Sequence, residues 1–278
     1  MILYRTNHTI IVEEGGKFYD CESQDWDGLI NENLYPVLQD VIAKGKSVDF
    51  SLDDAIKPIV SQEVWACGVT YLKSKVGRQE ESKDSGGADF YGKVYVAERP
   101  EVFFKATPSR VVGPGEKIRI RRDSTWDVPE PELTLCVNKN AQIVGYTIGN
   151  DMSSRSIEGE NPLYLPQAKT YDRCAALGPG VLVLDEPISL ETKISLEIVR
   201  AGAVVFFGEV QLNQMKRSLT ELVGFVCREA SFPHGCFIMT GTGIVPTSDF
   251  TLEVDDKVKI TIEGIGTLVN IVEKKPLD

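Results

Sequence analysis

The chain has 278 residues, 42% of them hydrophobic, and 41 acidic against 30 basic side chains, which gives a net charge of −11 and a pI of about 4.9. Such a balance excludes a protein that coats nucleic acid, whose phosphates call for a basic footprint. The apolar runs all fall short of the roughly 18 residues of a membrane-spanning helix.

The opening segment, Met1 to Thr6, lacks the pattern of a signal peptide. The six cysteines are widely spread without a CxxC pair, as expected of free thiols in a reducing cytoplasm. The length suits one large or two unequal domains, and the composition shift places a small N-terminal α/β domain at 1–61 and a larger domain at 62–278. In the first, Thr9 to Val12 reads as a strand and Gly15-Gly16 as a hairpin turn. Leu34, Val37, Leu38, Val41 and Ile42 carry helical spacing that stops at Gly45. Beyond a linker-like stretch at 53–59, short strands dominate: 102–104, 132–137, 142–149, 194–199, 204–211, 257–263 and 267–272. One helix begins at Ser218, where Ser218 and Glu221 form a capping box. The polar segment Lys73 to Asp89, with Gly86-Gly87, reads as a surface loop or as a lid.

The strongest chemical signal is Glu130-Pro131-Glu132, followed nineteen positions later by Asp151. Alternation puts Leu133, Leu135 and Val137 on one face of a strand and Glu130, Glu132 and Thr134 on the other, about 7 Å apart per pair. Pro131 marks an edge, a start or a bulge. With Lys139-Asn140 as the loop of a hairpin, Glu132 faces Thr147, Glu130 faces Gly149, and Asp151 falls one step further on the same face. Three hard oxygen ligands suit Mg²⁺ or Mn²⁺, with Ca²⁺ as a further substitute, and not zinc or copper. Three solvated acids on an exposed sheet face is the competing reading.

Phosphate-loop and dinucleotide fingerprints are missing from the sequence. Gly178-Pro179-Gly180 and Gly241-Thr242-Gly243 read as turn glycines able to cradle a carboxylate. The two histidines, His8 and His234, leave little support for Ser-His or Cys-His catalysis or for zinc. Proton chemistry therefore falls to carboxylates, lysines, tyrosines or metal-bound water. Lys105 shares a strand face with Phe103 and Glu101, and Lys169 sits in Gln167-Ala168-Lys169-Thr170-Tyr171-Asp172. Each is either a site lysine or a salt-bridged one. Arg155, like Arg110, is a candidate carboxylate fork.

As an ordered series these segments resemble the fumarylacetoacetate hydrolase superfamily over residues 62–275. The run comprises Gly68-Val69-Thr70-Tyr71, Pro100 to Ala106, Pro129 to Leu133, Gly149 to Arg155, Gln167 to Asp172, Leu177-Gly178-Pro179 and Thr240-Gly241-Thr242. The resemblance implies an α+β, mainly β catalytic domain behind a small N-terminal domain. It implies Mg²⁺ on Glu130, Glu132 and Asp151, with Lys169 lining the site and the Gly241-Thr242 loop on substrate. Hydrolytic members carry a His and a Glu after the Gly-x-x-Tyr position, where this chain has Ser74 and Gly77. That departure, with the short gap before Asp151, is similar to the sugar-acid branch of the family. A dehydratase of a 2-keto-3-deoxy sugar acid is expected, working through a metal-stabilised enolate to give 2,5-dioxopentanoate. Glu101 and Lys169 are its acid–base pair in an order left open, and Lys105, Arg155, Gly241 and Thr242 bind substrate. An acylpyruvate-type hydrolase, an oxaloacetate decarboxylase or a non-catalytic binding protein are the alternatives. The family implies a homodimer or homotetramer that acts on a small 2-keto acid, while the cysteines, charge and apolar runs point to a cytoplasmic protein without nucleic acid or membrane.

Overall fold

A computed structural model describes residues 1–81 and 88–277. The N-terminal segment forms β1 (Ile2–Arg5), β2 (Ile10–Glu14), β3 (Lys17–Asp20), α1 (Trp26–Ile30), α2 (Leu34–Lys44) and β4 (Ser47–Val48). Next come β5 (Glu63–Gly68), α3 (Leu72–Glu81), α4 (Ala88–Val96), β6 (Glu101–Ala106), β7 (Val111–Val112), β8 (Lys117–Ile120) and β9 (Asp127–Val128). The central hairpin is β10 (Pro131–Val137) and β11 (Ile143–Asp151), followed by β12 (Ser153–Ser154), α5 (Arg155–Glu160), α6 (Leu165–Lys169) and β13 (Ala175–Leu182). The chain closes with β14 (Lys193–Arg200), β15 (Ala203–Gln211), α7 (Leu219–Val226), β16 (Cys236–Met239), β17 (Lys257–Ile262) and β18 (Gly266–Lys274).

One mixed sheet runs β4-β3-β2-β1-β13-β11-β10-β16-β5-β6, with β7 paired alongside β13. A second has the order β15-β14-β17-β18-β8. The class is α+β and mainly β. Leu133, Leu135, Val137 and Ile148 on one face of the large sheet pack with Leu196, Ile198, Ile260 and Leu268 of the smaller sheet. The opposite face contributes Cys136, Met239 and Val181 to a core with Trp26, Ile30, Leu34 and Leu38 of α1 and α2. Within the segment 1–61, Ile2 and Leu3 of β1 pair with Leu182 and Val181 of β13.

Three local expectations are corrected. Gly178-Pro179-Gly180 is no turn but the middle of β13, where a Cβ on Gly180 would meet Leu3 O at 2.9 Å. Lys73 to Asp89 is largely helical, carried by α3 and α4, while Ser82 to Gly87 lies outside the described residues. The hairpin register differs by two. Glu132 faces Gly149 and Thr134 faces Thr147, because the loop takes a third residue, Ala141 at φ +58°, and a bulge falls between Cys136 and Val137. An even shift leaves side chains on the same face. Asp151 consequently stands opposite Glu130, its N–H donating to Glu130 O at 2.9 Å.

Candidate metal centre

The site lies where several strand ends meet at one edge of the large sheet. β5 and β16 run parallel and end there, at Gly68 and Met239. Antiparallel β10 begins there, just after Glu130, and β11 ends there with Asp151. Glu130, Glu132 and Asp151 offer oxygen atoms all within 4.8 Å of one another. Their exposures of 4, 2 and 1% rule out the solvated-face reading. Buried, convergent and entirely of hard oxygen, this donor set fits a divalent cation such as Mg²⁺. Pro131 is the first residue of β10, a strand start.

Four buried cations surround the acids. Lys169, at the end of α6, donates to Glu130 Oε2 at 2.5 Å, Asp151 Oδ2 at 2.9 Å and Ser153 Oγ at 2.5 Å. Lys105 lies 2.5 Å from Asp151 Oδ1 and donates to the carbonyls of Met152 and Lys169. Arg155 Nη2 donates to Glu130 Oε1 at 2.8 Å. Arg78 of α3 pairs with Glu158 of α5. Burial opposes ionisation of Asp151, but Lys105 and Lys169 outweigh it and hold its carboxyl below the usual range. Burial likewise pulls Lys169 down, yet Asp151 and Glu130 more than offset this and keep it protonated. Glu132 receives one backbone donor, Gly241 N–H at 2.6 Å. Burial, followed by repulsion from Asp151 and Glu130, pushes its carboxyl well above the ordinary value. A divalent ion would relieve that strain.

Glu101, at the start of β6, is packed against Gly68 of β5. Among the described residues its buried Oε2 has no hydrogen-bond partner, and burial raises its pKa. A Cβ at Gly68 would fall 1.8 Å from that oxygen, so only glycine leaves the carboxylate its place. Gly241 has φ +94°, and a Cβ there would fall 2.1 Å from Thr70 Oγ1. The Gly241 loop does cradle a carboxylate, and it is the protein's own Glu132.

The narrow cleft between these elements is lined by Gly68, Val69, Ser74, Arg78, Phe103, the three acids, Lys169, Gly241 and Thr242. A larger groove, lined by Ile143, Tyr146, Ile188 and Val223, holds none of these acids and lies apart from the chemistry. Lys105 and Arg155 are not in the cleft wall; they stand behind Asp151 and Glu130. Arg110 is absent from the wall too, at the end of a short turn. Sequence reasoning missed Arg78, Ser74 and Phe103. The sequence offered no apolar signal for α3, because Ser74, Gly77 and Arg78 are buried at helical spacing while Leu72 and Val76 are exposed. Where the water-activating pair of hydrolases would stand, Ser74 Oγ donates to Tyr71 O at 2.8 Å, and Gly77 offers no side chain.

The model of the fumarylacetoacetate (FAA) hydrolase C-terminal family matches residues 77–273, and the chain belongs to that family. It is 52% identical over 221 residues to a probable 2-keto-3-deoxyxylonate dehydratase of Haloferax volcanii, covering 78% of this chain and 74% of the relative. It is 47% identical over 223 residues to the 2-dehydro-3-deoxy-D-arabinonate dehydratase of Saccharolobus solfataricus, covering 79 and 74%. A solved structure of 2-keto-3-deoxy-D-arabinonate dehydratase complexed with magnesium and 2,5-dioxopentanoate matches over the full length of both chains, with TM-score 0.85 and 37% identity.

Proposed function

We propose that this chain is a Mg²⁺-dependent hydro-lyase that removes water from a 2-keto-3-deoxypentonate to give 2,5-dioxopentanoate. The observation that carries the reading is the buried Glu130, Glu132 and Asp151 cluster with Glu101 and Lys169 beside it, in a chain half identical to sugar-acid dehydratases. The three carboxylates would hold the ion, which when bound supplies Lewis acidity to the substrate's carboxylate and 2-oxo oxygens.

The side chains divide the remaining work by their electrostatics. Glu101 stands behind Gly68 just outside the cleft wall, with an oxygen that has no hydrogen-bond partner among the described residues, and we assign it to accept the C3 proton. Lys169 is held protonated and suited to donate to the oxygen leaving C4. The C3–H and C4–O bonds break and one water departs. Lys169, having given its proton to the leaving oxygen, takes one from C5, and the return of a proton to C3 leaves an enol that tautomerises to the C5 aldehyde. The proton stored on Glu101 is placed for that return. Lys105 and Arg155 fix Asp151 and Glu130, and Thr242 with Gly241 closes the wall. With Ser74 tied to backbone and no side chain at Gly77, this site offers no pair to activate a water, which favours elimination over hydrolysis.

The test is to incubate the purified protein with Mg²⁺ and 2-keto-3-deoxy-D-arabinonate and to follow aldehyde formation. Turnover that disappears with EDTA is expected. Release of pyruvate from an acylpyruvate, with the keto-deoxy acid untouched, would overturn the reading.

A further inference from the structure

Lys169 Nζ has three acceptors: Glu130 Oε2 at 2.5 Å, Asp151 Oδ2 at 2.9 Å and Ser153 Oγ at 2.5 Å. An ammonium carries three N–H groups, so all of them are committed. Two of these acceptors belong to the carboxylates that would hold a divalent ion. Ser153 is the third and stands outside that set. It is fully buried on β12, where it pairs with Val128 of β9, and it is absent from the cleft wall. Its hydroxyl donates to Asp151 O at 3.2 Å, which leaves its lone pairs for the ammonium. The Phe103 ring, with its centre 5.6 Å from Nζ, adds a weaker attraction.

We infer that Ser153 is the positioning residue that holds Lys169 in place once a metal ion takes Glu130 and Asp151. This rests on the metal ligands and the role of Lys169 in the proposed function. A divalent ion competes for the lone pairs of both carboxylates and repels the neighbouring ammonium. In the metal-free protein, loss of the Ser153 hydroxyl removes one acceptor of three, and two charged ones remain. With the ion bound, the same loss removes the one acceptor that the ion does not contest. The hydroxyl therefore stabilises the metal-bound state more than the metal-free state, and linkage turns that difference into Mg²⁺ affinity. Ser153 does this through Lys169, without lining the cleft or joining the ligand set.

Calorimetric titration of the metal-free protein with Mg²⁺, in the absence of any substrate, tests this. Ser153→Ala should bind Mg²⁺ about tenfold more weakly than wild type. Its melting temperature without metal should fall by only a few degrees. In a Lys169→Met background the same substitution should leave Mg²⁺ affinity unchanged, because no ammonium remains to be held. Unchanged Mg²⁺ affinity in the folded Ser153→Ala variant overturns the inference and leaves the hydroxyl a structural role only. An equal loss in both backgrounds also overturns it, since the hydroxyl would then serve the ion without Lys169. Thermal melts establish that each variant is folded. Should Ser153→Ala fail to fold, Ser153→Cys, whose thiol is a weak acceptor, takes its place; should Lys169→Met fail, the Mg²⁺ affinity of Ser153→Ala alone decides. A wild type that binds no Mg²⁺ sinks both the inference and the proposed metal site. Absent dehydration with the tenfold loss intact sinks only the activity, and Mg²⁺-dependent dehydration with no loss in Ser153→Ala sinks only the role of Ser153.

Discussion

Lys105 meets Asp151 at 2.5 Å on the carboxylate oxygen that Lys169 does not use, and both partners are sealed from solvent. Lys105 also donates to the carbonyls of Met152 and Lys169, tying the segment after β11 to the end of α6. Its role is to position Asp151. Lys105→Met should cost about 3–5 kcal/mol in urea denaturation, because a buried carboxylate and two carbonyls lose their donor. A change in KM with stability intact would instead mark it as a substrate contact.

Glu132 is the least compensated carboxylate of the cluster, served by one backbone N–H and repelled by its two neighbours. Glu132→Gln should stabilise the metal-free protein by roughly 0.5–2 kcal/mol while abolishing tight Mg²⁺ binding, a trade of function against stability. Differential scanning calorimetry with and without Mg²⁺ reads both effects. A less stable metal-free variant would contradict the repulsion.

Gly68 is required by Glu101, whose Oε2 occupies the space a Cβ would fill. Gly68→Ala should lower kcat by about a hundredfold or more through displacement of the carboxylate. Mg²⁺ affinity should hold, since Glu101 lies outside the ligand set. A loss of Mg²⁺ binding with kcat retained would reassign Glu101 to the metal.

Asp127 of β9 lies outside the cleft wall, and burial pushes its carboxyl up to about 6. A raised folded-state value favours the neutral acid. Its contribution to stability is therefore complete below the unfolded value near 4 and is lost as pH rises through about 6. Asp127→Asn should accordingly be more stable than wild type by about 1–2 kcal/mol at roughly pH 8, with the advantage gone near pH 4. Denaturant midpoints across that window check the sign.

Strands with clean alternation, such as those at 131–137 and 143–151, were legible because one face meets the core and the other meets different neighbours. β13 was hidden by its internal Gly-Pro-Gly, which local rules assign to a turn although cross-strand partners hold it extended. The charged run at 73–81 concealed a helix whose buried stripe holds only one large apolar residue, Tyr71. The three acids were found despite a wrong register because the error was even, and side chains keep their face under a two-residue slip. Lys105 does share a face with Glu101 and Phe103, but each pair of residues advances about 7 Å along the strand, which carries it past the cleft to the rear of Asp151. Depth along a strand is set by neighbours remote in sequence, and alternation carries no record of it.

The chain's first strand is two places from the strand that ends in Asp151: β1 lies on β13, and β13 on β11. A cut between residues 61 and 62 would strip β13 of that cover at Val181 and Leu182, baring main-chain donors and acceptors in the middle of a sheet. A shortened protein would meet this wound by sticking to its own kind, and its metal ligand would ride on a strand whose support had become negotiable. Trimming the small leading segment to ease crystallisation or expression is thus surgery on the scaffold of the site.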